Sequence, residues 1–103
     1  MKLVQDSDRF DEYQVALIKD ITQAIAVKLV EAGLEGELME NTTANIAFSV
    51  ASILDDTTRI EADGDEVHPY LTFRSGESEL VHCGENAYTY EFLTGVLQEM
   101  FEG

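Results

Sequence analysis

Seven apolar or aromatic residues at three- and four-residue steps, Phe10, Tyr13, Leu17, Ile21, Ala24, Ile25 and Leu29, constrain this chain more than anything else in it. That spacing is one face of a long α-helix. Asp6 to Asp8 precede it, and Asp11 and Glu12 fall in its expected first turn, where the positive end of the helix dipole favours anions. Gly33 is the expected stop, since glycine readily takes the left-handed conformation that closes a helix, with Leu34 folding back towards Leu29. Val15, Ile18, Val27 and Val30 widen the apolar face, so the helix is expected to be central or to form a dimer contact.

After this helix, Glu35 to Glu40 reads as an acidic connector, with Thr42 or Thr43 capping a second helix. Ile46, Val50, Ile53 and Leu54 share one helical face, with Phe48 beside them. The segment Ala44–Val50 also alternates as a strand would. Its length and the small residues Ala47, Ala51 and Ser52 favour helix.

From Thr57 the period changes to that of strands and turns. Asp63-Gly64 is a strong two-residue hairpin signal between Arg59–Ala62 and Asp65–Phe73. A second turn, Ser75-Gly76-Glu77-Ser78, leads into Glu79–Cys83. These turns set a register in which Ile60 faces Val67, Phe73 faces Leu80 and Arg74 faces Glu79, a three-stranded antiparallel meander. Two features sit badly in it: Glu61 opposes Glu66, and Pro69, which has no N–H to donate, falls in the middle strand. Gly84 ends the sheet, Asn86 is the expected cap of the last helix, and Tyr88, Phe92, Leu93, Val96, Leu97, Met100 and Phe101 form its face. The expected architecture is α+β in the order α-α-β-β-β-α. It comprises two N-terminal helices, the meander and a C-terminal helix, with the helices packed on one sheet face, as a single domain over residues 1–103.

Charge narrows the function. Asp and Glu number 21 against 6 Lys and Arg, a net charge of −15, while 45% of residues are hydrophobic. That is too much apolar material for a disordered acidic tail, so the acids belong on the surface of a folded domain. A field of this sign repels nucleic acid and anionic membrane and attracts basic partners. The longest uncharged stretch, residues 41–54, is shorter than the roughly 20 residues that span a bilayer. The first residues do not read as a signal peptide. One cysteine, Cys83, cannot form an internal disulfide, which points to a reducing cytoplasm.

Chemical motifs are weak. The acids Glu61, Asp63, Asp65 and Glu66 do not make a calcium loop, because Arg59 and Tyr70 would occupy its first and last ligand positions. Three scattered residues, His68, His82 and Cys83, fall short of a zinc set, and His82 and Cys83 point to opposite faces while both remain extended. No glycine-rich phosphate loop is present. No catalytic residue, metal or cofactor is therefore assigned. The meander places Arg59, His68, Tyr70, Thr72 and Arg74 on one outward face, together with Val81 and Cys83. Few acids accompany them, and arginine and aromatic residues are enriched in interfaces.

The expected function is that of a small acidic cytoplasmic protein-interaction module. It would be a homodimer that binds a protein partner, a basic one being favoured by the charge, without catalysis or direct contact with nucleic acid or membrane. The alternative is a small-molecule or anion-binding protein, or an enzyme, using Arg59 and Arg74 or Cys83 with a histidine. A nucleic-acid mimic, whose carboxylates imitate phosphates, is a lesser alternative.

Overall fold

A computed structural model describes residues 1–102. The element order is β1 (Lys2–Gln5), α1 (Ser7–Glu31), α2 (Gly36–Leu54), β2 (Ile60–Ala62), β3 (Asp65–Val67), β4 (Phe73–Ser75), β5 (Glu79–His82) and α3 (Thr89–Phe101). The three helices pack on one another, and α1 alone of them makes substantial contact with the sheet, through β5.

Helix α1 is started by Asp6, whose carboxylate accepts from the Arg9 amide at 3.1 Å and from Arg9 Nε at 2.9 Å. Both contacts hold the Asp6 carboxyl below its ordinary value, the amide hydrogen bond being the larger cause. The helix therefore begins earlier than its apolar pattern suggests, and Asp8 rather than Asp11 is the acid in its first turn. Its end follows expectation. Gly33, at φ +97°, donates to Val30 O and Leu34 donates to Leu29 O, each at 3.0 Å, closing the last turn with a left-handed glycine. The fully enclosed stripe is Phe10, Gln14, Ile18, Thr22 and Ala26. This stripe is rotated from the predicted apolar face, whose Tyr13, Leu17, Ile21, Ile25 and Leu29 are half-buried at its flanks.

Two polar residues on that stripe are satisfied locally. Thr22 Oγ1 donates to Ile18 O at 2.6 Å, while Gln14 donates to Asp11 and accepts from the Tyr88 amide at 3.0 Å. No buried side-chain polar atom lacks a partner among the described residues. Two apolar clusters share α1. One joins Ile18 to Ala47, Ala51, Leu93 and Val96 of the helical bundle; the other joins Phe10 to Val81, Cys83 and Ala87 at the sheet.

Residues 44–54 are helical, as their small residues indicate, because Ala47 and Ala51 are the points where α2 meets its neighbours. The expected acidic connector Glu35 to Glu40 is instead mostly the first turn of α2. Gly36 opens the helix, and neither Thr42 nor Thr43 caps it; Thr43 lies inside, donating to Met39 O at 2.8 Å.

The meander is corrected in three respects. First, β3 ends at Val67 and β4 begins only at Phe73, so the expected middle strand is broken at the segment carrying Pro69, which cannot donate to a ladder. The β2–β3 hairpin is consequently a separate two-stranded sheet. It keeps the predicted pairing of Ile60 with Val67 and Glu61 with Glu66, about a turn in which Asp63 and Gly64 both have positive φ.

Second, β5 pairs one residue out of the predicted register. Phe73 faces Val81, Arg74 faces Leu80 and Ser75 faces Glu79. The connection is thus the three residues Gly76, Glu77 and Ser78 rather than four, and a one-residue slip exchanges the two faces of a strand. Val81 and Cys83, expected outside, are buried against Phe10. Third, β1 adds a strand the sequence did not disclose. It runs parallel to β5, Leu3 beside Leu80 and Val4 beside Val81, giving the sheet order β1-β5-β4.

Candidate functional site

The one-residue slip in β5 decides which side chains line the open face of the sheet. On the covered face, Phe73 meets the rings of Phe10 and Tyr13 at centroid distances of 5.4 and 5.5 Å, and Tyr13 Oη bonds Ser75 Oγ at 3.3 Å. Arg74 lies between Phe73 and Ser75 in β4 and therefore points the other way. Across the ladder it neighbours Leu80 and then Leu3, which is 57% exposed. The next row holds Gln5 and His82. Tyr70 folds onto His82, its hydroxyl 2.6 Å from Nδ1 and its ring edge-on to the imidazole. Leu3, Gln5, Leu80, His82, Arg74 and Tyr70 thus form an open surface without a carboxylate among them.

The five residues expected to share one face are therefore divided. Tyr70 and Arg74 are on the open sheet face. Arg59 and His68 belong to the projecting hairpin and its base, where Arg59 pairs with Glu61 and His68 Nδ1 with Asp56 at 2.9 Å. Thr72, in the connection before β4, is half-buried. Arg59 and Arg74 are on different sheets and form no joint clamp. Of the three arginines, Arg74 alone is in no ion pair among the described residues; Arg9 is held by Asp6 and Glu79.

Cys83 faces the core, its thiol donating to Glu85 O at 3.2 Å. His82 points to the open face, engaged by Tyr70. The two side chains are thus directed apart, and no cluster of metal-ligating groups occurs among the described residues.

A cleft of about 500 Å³ lies where α3 begins, lined by Ser52, Asp55, Thr57, Tyr88, Tyr90 and Glu91 among others. Its floor is structural. The buried Asp55 carboxylate accepts from Thr89 N at 2.9 Å, Thr89 Oγ1 at 2.8 Å and Tyr90 N at 2.9 Å. Asp55, at the end of α2, is therefore the cap of α3, in place of the expected Asn86. Sequence spacing gives no sign of this partnership, because 34 residues separate the two ends.

No family model, curated protein or solved structure matches the chain. No helix among the described residues is long and apolar enough to cross a membrane.

Proposed function

We propose that this chain is a small acidic protein-interaction module, a homodimer that engages a basic protein partner through the open face of the β1-β5-β4 sheet and performs no catalysis. The observation that carries this reading is the acid-free character of that face on a molecule of net charge −15. Long-range attraction and contact are then supplied by different parts of the surface. The carboxylates steer a basic partner towards the protein, an effect that falls with ionic strength. Leu3, Leu80 and Tyr70 provide apolar and aromatic area for contact, and burying them leaves no carboxylate unpaired. Arg74 offers a planar set of donors for a carbonyl or carboxylate of the partner.

The test is capture from the native host at low salt, followed by identification of the bound protein and titration of the purified pair. Binding by the wild type that is weakened by both salt and Tyr70→Ala/Arg74→Glu supports the reading. A partner whose affinity ignores both the sheet-face substitutions and salt would remove it.

A further inference from the structure

The outer side of α2 is unlike the rest of this surface. No charged residue occurs from Asn41 to Leu54, although 26% of the chain is charged. Three large apolar residues stand out on that helix: Leu38, Ile46 and Ile53, exposed by 64%, 38% and 47%. Between them Asn45 and Ser49 are exposed, and both are small. Depletion of charge is the compositional signature of an interface core.

We infer that the uncharged outer face of α2 is the surface through which two copies of this chain associate, antiparallel across a two-fold axis. This inference rests on the homodimer reading and gives it a location.

Electrostatics select the occupant. Two copies of a −15 molecule repel each other, so they can approach closely only through a surface where neither presents carboxylates. The acids of α2 itself, Glu37 and Glu40, lie in its first turns, ahead of the uncharged stretch.

The spacing is also self-complementary. Ile46 lies eight residues after Leu38 and seven before Ile53. At about 1.5 Å per residue the two arms are about 12 and 10.5 Å long, nearly equal. Antiparallel pairing through a two-fold axis near Ile46 therefore sets Leu38 of each copy against Ile53 of the other. Asn45 and Ser49 flank the axis, small enough to let the helices close and able to hydrogen-bond across it.

Sedimentation and light scattering at tens of micromolar test the inference. The wild type is expected at twice the chain mass, with a dissociation constant that tightens as salt is added, because screening relieves repulsion between copies. Ile46→Glu places two carboxylates face to face at the axis and is expected to weaken the dimer by about 100-fold or more while leaving the circular dichroism unchanged. Ile46→Cys is expected to give a covalent dimer on mild oxidation, whereas Val30→Cys on α1 and the wild type with its buried Cys83 are not. A monomeric wild type, an Ile46→Glu protein that remains dimeric, or equal crosslinking of both cysteine variants would overturn the assignment. Failure of the partner-binding reading would leave these results unchanged, since the sheet-face variants Tyr70→Ala and Arg74→Glu are expected to dimerise normally.

Discussion

Asp55 accepts three hydrogen bonds from the start of α3, so replacing it orphans three donors at one buried helix terminus. Loss of a cap ordinarily costs about 1–2 kcal/mol, and unsatisfied buried donors add to that. Asp55→Ala is therefore expected to lower unfolding stability by about 3 kcal/mol in urea titrations, with Asp55→Asn intermediate because it keeps one accepting oxygen. Tyr88 gives a second test at this scale. Its hydroxyl donates to Asp11, and this bond chiefly, with burial second, pushes its pKa from 10.0 up to about 12. Because the folded value is the higher one, the native state favours the neutral phenol. The resulting stability is present below pH 10 and is lost as pH rises through about 12. Ultraviolet titration of the native protein should show one of the four tyrosines ionising late, a step missing from Tyr88→Phe. Ionisation of all four together would contradict the Asp11 contact.

At the scale of elements, local signals were legible and long-range ones were not. The glycine stop of α1 and the Asp63-Gly64 turn are decided by neighbouring residues, and both occur where the sequence places them. The cap of α3 and the pairing of β1 depend on residues 34 and more positions away, and a four-residue strand such as Lys2–Gln5 has no distinctive period. The β5 register turned on a loop of three residues or four, which composition alone does not distinguish. That choice also governed the candidate surface. It put Arg74 and Tyr70 outside in either register, but exchanged Val81 and Cys83 for Leu80 and His82. The β2–β3 hairpin, lacking a third strand or substantial contact with the helices, is expected to be the least protected element, since two-stranded hairpins are marginal on their own. Amide exchange at residues 60–67 should be fastest among the strands and that of β5, buried at Val81, slowest; comparable protection of both would show that the hairpin is held by contacts of another kind.

For the whole molecule, extension and charge act together. Its extents are 44 × 36 × 22 Å and its radius of gyration 15.4 Å, against about 13 Å for a compact chain of this length. The acids are spread over that surface, and screening them should favour the folded form. The unfolding midpoint at pH 7 is expected to rise on adding about 0.2 M salt, and a fall would mean that ion pairs such as Arg9–Glu79 outweigh the repulsion. The parallel pairing of β1 with β5 has a consequence for how the chain is made. Lys2–Gln5 is synthesised before Glu79–His82, its ladder partner among the described residues, which follows both long helices and the hairpin. Helices α1 and α2 can meet during translation, whereas the β1–β5 pairing must wait until Glu79–His82 has emerged. During that interval Leu3 and Val4 remain without their strand partners, and a nascent-chain chaperone would find an uncovered apolar target in β1.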